Sequence, residues 1–326
     1  MVREKVIEVI NLTKIYQGMG KRVVALDNLN FNVYEGEIVG VIGPNGAGKT
    51  TLCLIICGLL SPTKGKVYVF NEDVSKLRWR ICKKYIASYF AHVAKIGRSF
   101  LRFTVMDYLI LNSAINAIPG DLREKAEKCL KAVNLWEFRN ERINRLSSGM
   151  LRRVMLAELL MWDKPIMILD EPTVFLDPIS SKEYWDVLKN LSKSMSITIL
   201  LASQNMEEVE YLCDRLLFLS KGKIIAETSP EKLKDMVLNF DRILINVKGD
   251  CNVFLNSLRR EIENLEILHK ELTDSTLKVV IKVPRKSITP MLLFNVASKS
   301  GAEITYFSYE KPSLSEAFRI LGRKEQ

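Results

Sequence analysis

The sequence predicts an α/β fold, a mostly parallel sheet flanked by helices with a smaller α/β appendage at its C-terminal end. Three observations carry that prediction. Short, almost wholly apolar runs alternate with helical stretches, as strands buried on both faces of a parallel sheet do. A glycine-rich turn at residues 43–50 stands between one such run and an apolar helix. Past Ser229-Pro230 the alternation restarts on a shorter scale and continues to the end of the chain.

The elements follow in order. Residues 6–10, 23–25 and 29–33 are short β-branched or alternating runs that read as strands. Glu35-Gly36 makes a turn into residues 37–42, apolar almost throughout and expected to be a central strand. An apolar helix should follow over 49–60, and residues 78–145 read as mainly helical. Residues 166–169 and 197–201 are two more buried strands with a helix between them. Residues 216–219 and 223–226 form a hairpin around Lys221-Gly222. In the appendage, strands at 242–247, 277–283 and 304–307 alternate with helices at 253–265 and 289–298, which suggests a ferredoxin-like unit. The expected boundaries are a main domain over 1–230, with a helical subdomain at about 95–155, and an accessory domain over 231–326.

With 48% apolar and 26% charged residues, the chain has the balance of an ordinary globular protein and disorder is not expected beyond the termini. Its formal charge of +10 is spread along the sequence, as on a solvated basic surface or a surface facing anionic lipid. No charge-free stretch reaches the ~18–20 residues needed to cross a bilayer, and no signal peptide opens the sequence. Six cysteines without a Cys-x-x-Cys pair, and two histidines, offer no zinc spacing. Cys53 and Cys57 share a helical face and read as small core residues.

Gly43-Pro44-Asn45-Gly46-Ala47-Gly48-Lys49-Thr50 matches the full phosphate-binding loop pattern, in its required place between strand and helix. The glycines let backbone N–H groups point inward at a phosphate, and the helix start adds partial positive charge. Lys49 would reach the β- and γ-phosphates, Thr50 would ligate Mg²⁺, and Thr51 joins them in the nucleotide site. The strand ending in Asp170-Glu171 supplies the other half: Asp170 toward Mg²⁺, and Glu171 as the group that orients or deprotonates water.

Between these sites lies Leu146-Ser147-Ser148-Gly149-Met150, which resembles the Leu-Ser-Gly-Gly-Gln signature of ABC transporter ATPases. Glu171-Pro172-Thr173 and Leu176-Asp177-Pro178 look like the exit of that family's Walker B strand and its D-loop. The resemblance covers residues 4 to about 230. It implies a P-loop NTPase core with an antiparallel β subdomain and a helical subdomain, with Tyr16 stacking on adenine. It also implies a head-to-tail dimer in which Ser147, Ser148, Gly149 and Asp177 serve the nucleotide of a second ATPase subunit. An integral-membrane permease on a separate chain would be the other partner, with the ATPase peripheral on the cytoplasmic face and no nucleic acid expected. The tail, Pro312-Ser313-Leu314-Ser315-Glu316-Ala317-Phe318, resembles subunits of ABC-2-type exporters. Two rival readings remain at this level, an ATP-gated regulatory subunit with little turnover and a soluble ABC protein acting on ribosomes or nucleic acid. The cargo is not written in this chain.

Two positions depart from the family. Gln204 stands where a switch histidine is expected, and His92 stands where the Q-loop glutamine would be; the glutamines are at 17, 204 and 326. A glutamine can donate an amide hydrogen bond but carries no positive charge. Slow hydrolysis is therefore the expectation. The resemblance implies a permease-facing surface in the segment 78–105, where Phe100, Leu101 and Phe103 serve either its groove or a local core of the helical subdomain.

Overall fold

The structure, a computed structural model, describes residues 4–18, 21–91, 96–237, 240–273, 276–285, 287–310 and 313–324. The chain divides into two compact units, Met1–Pro230 and Glu231–Gln326.

The strands of the first unit are β1 (Lys5–Gly18), β2 (Lys21–Tyr34), β3 (Ile38–Ile42), β4 (Lys64–Val69), β5 (Glu72–Asp73), β6 (Ile86–Phe90), β7 (Ile166–Asp170), β8 (Thr198–Ser203), β9 (Arg215–Ser220) and β10 (Lys223–Thr228). They form two sheets, a four-stranded one in the order β2-β1-β4-β5 and a six-stranded one in the order β10-β9-β3-β8-β7-β6. In the second, every pairing from β9 to β6 is parallel, and β10 alone runs antiparallel at the edge. All residues of β3, β7 and β8 are buried, because helices cover both faces of these central strands. Edge strand β10 instead alternates exposed and half-buried residues.

The two predicted runs 23–25 and 29–33 belong to one long strand, β2, which pairs with β1 through several register shifts. Left-handed residues Asn11 and Asn28, at φ 49° and 55°, mark the irregularity that split the sequence pattern. Strand β6 lies inside the stretch predicted to be helical, since Ala87 and Ser88 interrupt its apolar run. The helix after the phosphate loop stops at Ile56 rather than Leu60.

Buried Glu37 and half-buried Arg215 tie the two sheets together. Arg215 donates from Nε to one Glu37 oxygen at 2.7 Å and from Nη2 to the other at 2.8 Å, and Nη2 also reaches the Asn32 carbonyl at 2.7 Å. The fork geometry satisfies both charges at once. Helices Val105–Ile115, Leu122–Ala132 and Ser148–Met161 form the helical segment between β6 and β7, which runs past the expected end at 155. Thr104, Asp121 and Ser147 cap their N-termini. Phe100 packs against Phe103 and Tyr108 there, with ring centroids at 5.9 and 5.3 Å.

The second unit holds β11 (Phe240–Gly249), β12 (Glu266–Thr273), β13 (Thr276–Pro284) and β14 (Ala302–Glu310), all antiparallel in the order β12-β13-β11-β14. Helices Cys251–Glu261 and Pro290–Lys299 follow the first and third strands, which is the split β-α-β arrangement of ferredoxin-like folds. Ile243, Ile245, Phe254, Leu258, Ile281 and Leu293 lie in its own core. Strand β12 has no counterpart in the sequence reading. It is an edge strand whose side chains are nearly all exposed, so Glu266, Lys270 and Glu271 hide its periodicity. The expected helix 253–265 accordingly ends at Glu261. Among the described residues, no helix is long and apolar enough to cross a membrane.

Candidate functional site

The glycine-rich loop leaves the buried strand β3 and turns into helix Lys49–Ile56 through Gly48, which caps the helix at φ 108°. A Cβ at Gly43 would lie 2.1 Å from the Leu219 carbonyl oxygen, and one at Gly48 would lie 2.4 Å from that of Ala25. The loop is thus pressed between β9 and β2 at two points where only glycine fits. Gly46 also has a positive φ, 79°, but faces open space, and Pro44 and Asn45 beside it are exposed. Ala47 is buried and anchors the loop, its N–H donating to the Pro44 carbonyl at 3.1 Å and its own carbonyl accepting from Gly222 N–H at 3.2 Å. The outcome is a rigid cradle with one open side.

The Lys49 ammonium lies within this cradle, donating to the Gly43 carbonyl at 2.7 Å and the Pro44 carbonyl at 3.3 Å. It also sits 3.9 Å from Glu171 Oε1. Burial lowers its pKa, while Glu171 and Asp170 act in the opposite direction. The Thr50 hydroxyl donates to Asp170 Oδ2 at 2.8 Å, closing a gap of 120 residues in sequence. Parallel pairing of β7 with β8 sets Asp170 beside Ala202, and Glu171 N–H then donates to the Ala202 carbonyl at 2.8 Å. Glu171 adopts φ 52°, a left-handed conformation that costs a non-glycine residue about 1–3 kcal/mol and is held by this bond. Loop, lysine and both carboxylates therefore meet at the C-terminal ends of the strands, where α/β sheets bind ligands.

Thr50 and Asp170 together offer a hydroxyl and a carboxylate, both hard oxygen donors suited to Mg²⁺. Among the described residues there is no cluster of three His, Cys, Asp or Glu side chains that could hold an ion alone. The donor set fits a cation that takes its remaining ligands from phosphate and water.

The Tyr16 hydroxyl is 3.4 Å from Thr51 Oγ1, so the expected adenine platform stands beside the phosphate helix, half-exposed with Lys14 Nζ 5.1 Å from the ring centre. Gln204 follows β8 directly and is exposed on the same sheet edge. Ser147 accepts from Met150 N–H at 3.2 Å as the cap of its helix, with Ser147 and Ser148 exposed. Gly149 is buried against Ser180, and Asp177 caps the helix Pro178–Met195 through Ile179 and Ser180. The Ser180 side chain, and then these backbone caps, hold the Asp177 carboxyl below the usual range. Among the described residues, no hydrogen bond or ion pair joins residues 147–149 to the phosphate loop of the same chain. His92 lies outside the described residues.

The sequence reading missed a buried group behind this site. Glu208, wholly inaccessible, accepts from Ser203 Oγ at 2.5 Å, Thr173 Oγ1 at 2.8 Å and Trp185 Nε1 at 3.1 Å. A faint signal existed: Glu208 stands one turn before Leu212 on the apolar face of a short helix.

A protein-family profile described as ABC transporter matches residues 26–174. The phosphonates import ATP-binding protein PhnC of Treponema denticola is 31% identical over 260 residues, covering 75% of this chain and 97% of its own length. The bacitracin transport ATP-binding protein BcrA of Bacillus licheniformis is 33% identical over 229 residues, 70% of this chain and 71% of that protein. Among solved structures, a dimeric post-hydrolysis state of the ATP-binding cassette MJ0796 bound to ADP and Pi is similar at TM-score 0.59 and 28% identity, covering 68% of this chain and 98% of that one. The chain spans 10% of the length of human and mouse relatives that it also matches, at 31% and 30% identity.

Proposed function

We propose, because this chain belongs to the ABC transporter family of ATP-binding proteins, that it powers a membrane exporter by binding ATP between two copies of its cassette. The observation that carries the reading is the Thr50–Asp170 hydrogen bond at 2.8 Å, which joins the phosphate loop to the carboxylate strand. Gly43 to Gly48 receive the phosphates through backbone N–H groups. Lys49 exchanges its loop carbonyls for phosphate oxygens, and Tyr16 stacks on adenine. Thr50 and Asp170 hold Mg²⁺, which when bound neutralises phosphate charge. Glu171 orients the attacking water and takes its proton, and Gln204 donates an amide hydrogen bond toward the γ-phosphate.

The exposed helix start at Ser147 and Ser148 suits a phosphate delivered by a second subunit. ATP then favours the closed dimer because it binds that state better than the open one. The permease is assigned to a groove of about 600 Å³ whose lining includes Leu59, Trp79, Cys82, Ile115, Glu158 and Trp162. Trp79 and Ile115 are exposed there at 57% and 71%, which suits a docked apolar helix. Phe100 packs against Phe103 and Tyr108, in keeping with the local-core alternative for these residues. The export branch rests on the tail at residues 312–318 and the likeness to a bacitracin transport protein, and relatives named as importers are the competing outcome. The unit 231–326 is read as an accessory domain, and the protein as peripheral on the inner membrane face.

Two experiments test this. Mass spectrometry of proteins co-purified from membranes should return an integral-membrane permease; recovery without any membrane protein contradicts the assignment. Light scattering of the Glu171→Gln chain should show a dimer with ATP and a monomer without it, and a mass unchanged by ATP contradicts the sandwich.

A further inference from the structure

Glu208 is buried, and among the described residues no hydrogen bond or ion pair joins its side chain to a residue assigned to ATP. No Lys or Arg forms an ion pair with it among the described residues, yet it accepts hydrogen bonds from three separate elements. Thr173 belongs to the turn after Glu171, Ser203 to the last position of β8 before Gln204, and Trp185 to helix Pro178–Met195. All three donors point at its two oxygens, an arrangement that suits a carboxylate. Further bonds extend the network on both sides. Ser203 Oγ accepts from Asn205 N–H at 3.0 Å, and the Asn205 side chain caps the Glu208 helix through Glu207 and Glu208 N–H. On the other side, Glu171 N–H is held by the Ala202 carbonyl at 2.8 Å, and Leu176 N–H by the Thr173 carbonyl at 3.1 Å.

The two segments expected to face the γ-phosphate, the turn after Glu171 and the end of β8, are both bonded to this one carboxylate. Glu171 sits in a left-handed conformation that the neighbouring structure must hold in place. Gln204 is exposed directly after β8, between Ser203 and Asn205 of the network. Glu208 bonds to Thr173, two residues after Glu171, and to Ser203, directly before Gln204. Burial disfavours its ionised form, and the three donors oppose that effect. Loss of one donor is therefore felt at the others, as in any fully satisfied buried network.

From this geometry we infer that Glu208 is a positioning residue for hydrolysis, a buried clamp that fixes the Glu171 turn and the Gln204 strand end relative to each other. The inference rests on the ATPase reading above and adds to it a coupling between water activation and phosphate sensing. The clamp touches neither phosphate nor Mg²⁺, so it acts on turnover and leaves nucleotide binding alone.

The test compares Glu208→Ala, Glu208→Gln, Thr173→Val and Ser203→Ala in the full chain, each checked for folding by thermal unfolding. Glu208→Ala should lower kcat by about 10- to 100-fold, the scale of a small misplacement at a reacting centre. The Kd for ATP should change by less than about threefold. Glu208→Gln keeps the shape and one acceptor, and should recover part of the lost kcat. Adding Gln204→Ala to Glu208→Gln should cost less than the product of the separate losses, as coupled residues do. Thr173→Val and Ser203→Ala each remove a single donor and should reproduce part of the kcat loss, which serves if Glu208→Ala does not fold. Folded variants with wild-type kcat overturn the clamp, as does a parallel loss of kcat and ATP affinity or strict additivity with Gln204→Ala. A wild-type chain without Mg²⁺-dependent turnover overturns the ATPase reading itself, and the clamp with it.

Discussion

Alanine at Gly48 and at Gly46 separates the two things the phosphate loop must do, hold its shape and receive a ligand. At Gly48 the new Cβ meets the Ala25 carbonyl oxygen at 2.4 Å and Leu26 Cδ2 at 2.7 Å, and the backbone stands at φ 108°. The left-handed conformation costs about 1–2 kcal/mol for a residue with a Cβ. Forcing neighbouring backbone aside adds about 1–3 kcal/mol. Gly48→Ala should therefore destabilise the first unit by about 2–5 kcal/mol and displace the cradle. At Gly46 there is no neighbour within 4 Å, so only the left-handed cost of about 1–2 kcal/mol applies. The open side that makes Gly46→Ala mild for folding is the side assigned to phosphate. Denaturant unfolding gives the stability of each variant, and titration with ATP gives the affinity. Gly48→Ala should lose both, and Gly46→Ala should stay folded while weakening ATP by about 10-fold or more. A folded Gly46→Ala chain with wild-type ATP affinity would refute the cradle, because the phosphates would then lie elsewhere.

Other consequences are sharper in direction than in size. Gln204→His should raise steady-state turnover, by up to the ~10²–10³ that one transition-state contact supplies; unchanged or lower turnover contradicts the switch assignment. Arg215→Ala leaves the Glu37 carboxylate buried without its fork and should cost about 3–5 kcal/mol in denaturant unfolding. Burial raises the Glu158 pKa, against hydrogen bonds from Tyr108 and Asn112. A raised carboxyl pKa means the folded state binds the proton more tightly, so stability from this group falls as pH rises through the titration range, and the deficit is complete above its folded pKa. The stability of Glu158→Gln relative to wild type should therefore increase with pH across that range, and thermal unfolding at several pH values reads it. Ile115→Asp should abolish recovery of the permease from membranes while leaving ATP affinity of the free chain intact.

Much of the nucleotide site was legible because its signals are local. The phosphate loop is continuous in sequence, and the apolar run into Asp170-Glu171 declares a buried strand with a carboxylate at its end. The 2.8 Å meeting of Thr50 and Asp170 follows once both strands enter one parallel sheet. The left-handed backbone of Glu171 was not legible, since it is imposed by the Ala202 carbonyl on a neighbouring strand. Glu208 stayed hidden for a similar reason: its three donors come from positions up to 35 residues away, and no local pattern gathers them. Strand β12 escaped because an exposed edge strand needs no apolar periodicity. Strand β6 escaped because two small residues break its run. Within the segment 78–105, Phe100 packs against Phe103, as the local-core alternative has it, while Trp79 and Cys82 of the same segment line the groove assigned to the permease. Ile115, on a separate helix, lies outside that segment and no local pattern joins it to Trp79.

The most direct measurement is steady-state ATP hydrolysis by the purified full chain, with and without Mg²⁺, beside Glu171→Gln. The account predicts Mg²⁺-dependent turnover below about 10 s⁻¹, the median for ordinary enzymes. It also predicts a fall of at least about 10²-fold in Glu171→Gln, with ATP still bound. Turnover that survives Glu171→Gln, or that needs no Mg²⁺, would contradict it.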